Sequence, residues 1–393
     1  MDTVLAHPLF WPFVLTVVII CLFPLAAGYI VLLERKVLAD IQVRLGPMRV
    51  GPHGLLQPIA DALKLLLKED TIPEPADQAI FWLAPVISTF TALTAFSVLP
   101  FSEVVRVADV NVGLLIVSAM SAVGVLGVIL GGWSSNSHYP LLGALRGAAQ
   151  LISYEIALAF ALLSGVMMAG TLSMVGIVKA QQERGVWFVF DNFGLMIVPF
   201  MVYLISSIAE TNRLPFDLPE AESELVAGFM TEYSGFRWAL FFLAEYGNIV
   251  VVSSVAVTLF WGGWLRPFPS VGFLEIPFGY VVPILLFGLS AFSCFYLQTR
   301  SATGFRRWFL IVVGLCLLFM ALLFVPPAVN RAIIGPFWFF LKVGCLVYLV
   351  IWIRGTFPRF RYDQLMGIGW KYMIPIGMGA ILVNAVVGML RAG

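Results

Sequence analysis

Between residues 210 and 232 the chain carries six carboxylates, Glu210, Asp217, Glu220, Glu222, Glu224 and Glu232, and one cation, Arg213. A run of charge is ordinarily a solvated loop. Here Pro215, Phe216, Leu218, Pro219, Leu225, Val226 and Phe229 are interleaved with the acids, which argues that the segment packs. Crowded carboxylates that lose hydration become coupled, and such a cluster takes up or releases a proton when nearby charge or geometry changes. If the segment is helical, Asp217, Glu220 and Glu224 share a face. Two further carboxylates, Glu155 and Glu245, stand inside apolar runs, where a charge is costly and marks a functional candidate. The chemistry these residues fit is proton transfer.

Other chemistry is not encoded. No GxGxxG follows a strand, no Fe–S or haem ligand set occurs, and no Ser/His/Asp arrangement is present. Gly46, Gly51 and Gly54 lack the Gly-Lys-Ser/Thr that a phosphate loop requires. His7, His53 and His138 are isolated and read as structural. Cys21, Cys294, Cys316 and Cys345 lie far apart in apolar runs and read as buried free thiols, with no metal or disulfide spacing. The expectation is a chain with no covalent catalytic residue, no metal and no redox cofactor of its own.

What must position the acids is a membrane bundle. Hydrophobic residues make up 61% of the 393 residues and charged ones 11%, with mean hydropathy +0.97. Soluble domains carry roughly a quarter charged residues, so the solvent is lipid. A helix crosses the hydrocarbon core with about 20 apolar residues. Qualifying runs lie near 11–33, 79–100, 112–132, 148–170, 193–209, 238–262, 279–298, 308–325, 337–353 and 373–390. They are continuously apolar, which excludes a β-barrel. The predicted fold is therefore all-α, a polytopic transmembrane helix bundle of about ten spans forming one integral membrane domain over 1–393. The first run has no basic region before it and no cleavage site, and reads as a span rather than a removed signal peptide. Net charge is +1, with no field to attract nucleic acid.

Lys and Arg orient the bundle. With the N-terminus outside, sixteen fall on inner loops and six on outer segments. This predicts both termini outside and inner loops at 34–78, 133–147, 210–237 and 354–372. In the first of these, Leu55, Leu56, Ile59, Leu63, Leu66 and Leu67 recur at helical spacing opposite Asp61, Lys64 and Lys68, the pattern of an amphipathic helix in the membrane interface. Glu155 and Glu245 each fall roughly 10 Å inside the inner surface. Arg354, Arg359 and Arg361 set the topology or grip acidic loops. Lys342, some five residues into a span, is expected to snorkel outward.

At these segments the chain resembles the H-type membrane subunits of bacterial respiratory complex I and their mitochondrial counterpart. The resemblance rests on Glu34-Arg35-Lys36, the Arg44 to Glu69 region, Tyr139 to Glu155, Glu210 to Tyr246, and Trp338 to Lys371. Most specific is Ala209-Glu210-Thr211-Asn212-Arg213 … Phe216-Asp217-Leu218-Pro219-Glu220 … Glu232-Tyr233-Ser234-Gly235, which is similar to the NADH-quinone type more than to membrane-bound hydrogenase relatives. The resemblance implies that ubiquinone or menaquinone enters between the first and sixth spans and the amphipathic helix. It is reduced at the junction with a peripheral arm. Arg35, Arg44 and Asp61 are then expected at the quinone tunnel. Glu155, Glu210, Asp217, Glu220, Glu222, Glu224, Glu232 and Glu245 match the family's chain of proton-coupling acids, and Arg213, Arg359 and Arg361 match arginines that brace the loops. Implied partners are the peripheral Fe–S and quinone-site subunits, small membrane subunits and antiporter-like subunits, in a bacterial inner membrane. Those partners would hold the Fe–S clusters, flavin and NADH, with quinone as substrate.

Two departures stand out. Met48 replaces a usual Asn, and spans at 279–325 add a helical hairpin to the family's usual eight, expected at the lipid-facing periphery. Two other readings compete: the equivalent subunit of a ferredoxin- or hydrogenase-linked relative, and a stand-alone ion transporter using Glu155 and Glu245. Copurifying Fe–S subunits would separate the last from the others.

Overall fold

The computed structural model describes residues 10–219, 225–299 and 304–392, with side chains described outside 10–12, 305–306 and 391–392. Helices account for all its regular structure, with no strand among the described residues. In chain order they are α1 (Phe10–Ile41), the interfacial α2 (Gln57–Leu67), α3 (Gln78–Ser97), α4 (Gly113–Ser134), α5 (His138–Ala169), the short α6 (Met174–Arg184), α7 (Ile197–Glu210), α8 (Gly235–Phe260), α9 (Val282–Thr299), α10 (Gly304–Leu323), α11 (Pro327–Thr356) and α12 (Tyr362–Gly367). A π turn over Ile368–Met373 joins α12 to α13 (Ile374–Ala392) as one continuous rod. Eight of these rods are long and apolar enough to span a membrane. Two shorter apolar helices, within α7 and α10, stand where the remaining two expected spans fall. The polytopic bundle is as expected.

The spans differ in how far they are enclosed. In α8 72% of the apolar window is buried, against 11% in α1, so α8 is the axis of the bundle. Close approach around it uses small residues, as lipid-embedded helices do. A Cβ on Gly127 of α4 would lie 2.1 Å from the Ser88 hydroxyl on α3. One on Gly143 of α5 would lie 2.9 Å from the Gly228 backbone, so this glycine lets the turn at Gly228–Met230 seat against α5.

One face of the bundle gathers the loops singled out above. The Asp77 amide donates to Ser134 O (3.0 Å), Thr71 N donates to the Ser234 hydroxyl (3.0 Å), and Phe360 N donates to Pro215 O (3.1 Å). Arg237, 1% exposed, holds Asp70 at 2.6 Å and stacks over Trp82. These contacts fix the start of α8 beneath the end of α2.

Three expectations are corrected. Cys21, Cys316 and Cys345 are exposed on the chain's surface and Cys294 is partly so, because their apolar helices turn that side outward. Lys342 does not snorkel. It is 5% exposed, donates to Trp261 O (2.7 Å) and Leu265 O (3.0 Å), and sits over the Trp187 ring. Those carbonyls lie just past the C-terminus of α8, the negative end of the helix dipole, so they attract the ammonium inward. The described part of the acidic segment, 211–219, forms turns rather than a helix, so the shared-face argument does not apply to Asp217.

The hairpin of α9 and α10 packs chiefly on itself. It is tied to α11 by Asn330 Nδ2 to Gly279 O and Trp338 Nε1 to Phe278 O, both 3.2 Å. Leu289, Phe292, Trp308 and Phe319 point away from the bundle.

Candidate functional site

Four charged side chains from four parts of the chain meet beside the loop face. Glu34, near the end of α1, is 4% exposed, and Glu245 projects from α8. Arg213, 4% exposed, reaches Glu245 with Nε at 2.7 Å and Glu34 with Nη1 at 3.8 Å. Arg354, in the last turn of α11, pairs directly with Glu34. The Tyr246 hydroxyl donates to Glu34 Oε2 at 2.9 Å, and its ring lies 4.2 Å below the Arg213 guanidinium. Among these four side chains the two carboxylates match the two guanidiniums in charge. The arginines do not lose protons in proteins, so the group's charge changes only through a carboxylate or an arriving ligand. At low dielectric a single added charge is felt strongly.

A second acidic centre lies where α7 ends. Glu210 accepts a hydrogen bond from the Ser121 hydroxyl of α4, while its Oε2 is buried without a hydrogen-bond partner among the described residues. Two cavities of about 50 and 60 Å³ adjoin this carboxylate, enough for a few waters each. The larger also reaches Glu245 and Asn212. Gln150, fully buried on α5, pins the segment by donating to Ala209 O (2.7 Å) and Phe216 O (2.6 Å), next to Glu210 and Asp217. Glu155 is partly buried one and a half turns further along α5, and its charge acts on Glu210.

The other predicted residues are distributed as follows. Asp217 is ion-paired to Arg359 at 3.0 Å, which links the acidic loop to the segment that follows α11. Arg361 is exposed, and its backbone N–H donates to Gln364 at the start of α12. Arg35 pairs with Asp61 at 2.9 Å, and Gln57 donates to the same carboxylate at 2.8 Å, fastening α2 to α1. Arg44 is exposed, and its Nε donates to the neighbouring Gln42. Glu232 is partly exposed. Glu220, Glu222 and Glu224 lie outside the described residues. Among the described residues no cluster of His, Cys, Asp or Glu could hold a metal.

Sequence reasoning missed Glu34, Tyr246 and Ser121 as site residues, and gave Arg354 only as one of three arginines that set the topology or grip acidic loops. Glu34 carried little signal, because it stands with Arg35, Lys36 and Asp40 at the charged end of α1. Ser121 carried none, because a serine in a membrane helix ordinarily bonds its own backbone.

Fold and site together define a polytopic helical membrane protein that buries a branched network of carboxylates and arginines at one face. The family described as NADH dehydrogenase matches residues 13–385. An H-type NADH-quinone oxidoreductase subunit of Solibacter usitatus is 67% identical over 99% of both chains. The H-type chain of Koribacter versatilis is 51% identical over 95% of this chain and 91% of its own, and that of Rickettsia prowazekii is 42% identical over 92% and 89%. The chain belongs to the H-type family of NADH-quinone oxidoreductase subunits, the membrane subunits of complex I.

Proposed function

We propose that this chain forms part of the quinone-binding chamber of a proton-translocating NADH-quinone oxidoreductase and couples quinone reduction to proton pumping through buried carboxylates. The observation that carries the reading is the buried Glu34–Arg213–Glu245–Arg354 ion-pair group, joined to Glu210 through a cavity of about 60 Å³. Reduction of a quinone draws protons, and a proton or charge gained beside this group unbalances it. The imbalance is relieved by proton movement at Glu245 and Glu210, then at Glu155 and the loop acids Asp217, Glu220, Glu222, Glu224 and Glu232. Arg35, Arg44 and Asp61 stand near the tunnel mouth at α2, and Arg213 and Arg359 keep the loop docked.

In this reading the loop face meets the peripheral Fe–S and quinone-site subunits, and both termini lie outside a bacterial inner membrane. Small membrane subunits and antiporter-like subunits lie alongside. Electrons come from NADH, flavin and Fe–S clusters in those partners.

The test is Glu245→Gln in the intact complex, reconstituted in vesicles. The expected result is normal subunit composition with quinone reduction and proton uptake both lowered at least tenfold. Wild-type rates of both in the assembled variant would overturn the reading.

A further inference from the structure

Thr91, Ser121, Gly124, Glu210 and Asn248 line both cavities beside Glu210. One cavity continues toward Glu245 and Asn212, the other toward Tyr203, Leu162 and Val255. The carboxylate thus stands between two spaces that each admit water. Its two oxygens are not equivalent, since Oε1 accepts from Ser121 and Oε2 has no partner among the described residues.

We propose that Ser121 is the positioning residue that clamps Glu210 by Oε1 at the junction of the two cavities, leaving Oε2 as the oxygen that exchanges protons with water on either side. This rests on the proton-coupling reading of Glu210. A proton delivered by a hydronium in the first cavity adds to Oε2, leaving water behind and a neutral carboxyl. It departs from the same oxygen to a water of the second cavity, which restores the negative charge. Without the clamp the carboxylate rotates about its terminal torsion, which has broad wells, and both oxygens fall out of register with the junction. Thr91 and Asn248 are the neutral polar groups that complete the water path. Among the described residues the titratable groups facing it are Glu245 from α8 and Tyr203 from α7, with the charge of Glu155 on α5 acting on Glu210 from nearby; the lining residues contributed by α3 and α4 are uncharged.

The experiment compares Ser121→Ala, Ser121→Thr and Glu210→Gln in the assembled complex, reading NADH-driven quinone reduction and vesicle proton uptake against pH. A hydrogen bond to an ionised carboxylate favours that form by about tenfold or more. Ser121→Ala is therefore expected to lower turnover severalfold and to displace the pH profile by about one unit toward higher pH. Ser121→Thr, which keeps the hydroxyl, restores both. Should Ser121→Ala not assemble, Ser121→Cys, with a weak donor of similar size, is read the same way. A wild-type profile in Ser121→Ala beside an inactive Glu210→Gln overturns the clamp and leaves the function standing. So does equal impairment of the Ala and Thr variants with an unshifted profile. A fully active Glu210→Gln overturns the function itself, and the clamp with it.

Discussion

Replacing Arg213 by methionine is the most exacting test of the charge network. The substitution keeps a long apolar stem against Tyr246 but deletes the cation 2.7 Å from Glu245 and 3.8 Å from Glu34. Of the four charges, Glu34 then keeps Arg354, and Glu245 loses the cation that touches it. Unit charges about 4 Å apart interact by about 4 kcal/mol at the effective dielectric typical of proteins. Removing one partner of a buried pair costs about 3–5 kcal/mol, a hundredfold or more in the equilibrium between intact and disrupted complex. Adding Glu245→Gln removes one charge of each sign and leaves the Glu34–Arg354 pair balanced. The double variant should therefore recover most of the loss, with an interaction energy of at least about 2 kcal/mol in the double-mutant cycle. The assay is thermal dissociation of the complex in mild detergent for the parent, both single variants and the double variant, with quinone reduction measured in parallel. Stability should return in the double variant while coupling does not, because Glu245 is gone. Strict additivity of the two single effects would refute the idea that these charges are held as a balanced unit.

Two further outcomes follow from the same physics. Glu220→Gln or Glu224→Gln should lower quinone reduction and proton uptake while the complex still assembles, and wild-type turnover in both assembled variants would remove these acids from the coupling path. Lys342→Met should destabilise the bundle by about 1–3 kcal/mol, the cost of leaving the buried Trp261 and Leu265 carbonyls without a donor. Limited proteolysis of the 261–276 segment reads this loss directly, and unchanged protection would show that another group satisfies those carbonyls.

Hydropathy alone determined the helical, membrane-spanning class, because the free energy of moving some 20 apolar residues into lipid is a local sum that needs no knowledge of neighbours. The same logic exposed Glu155 and Glu245, since a carboxylate in an apolar run is conspicuous wherever the helix packs. The amphipathic pattern of 53–69 likewise located α2, and the acid-rich motif of 209–235 pointed to the family without any knowledge of the fold. Partnership was different. Glu34 meets Tyr246 and Arg354 across more than two hundred residues, and Arg213 lies between two acids that no spacing connects. Those choices depend on how each helix is rotated about its axis and on which turn of the 211–219 segment faces inward, both set by packing. Lys342 makes the point in reverse. Its depth in the span predicts a reach for water, yet the end of α8 offers it two carbonyls and an aromatic face, and tertiary contact prevails over the local tendency. A chain can state which charges it buries. Only the folded bundle decides which of them are neutralised together.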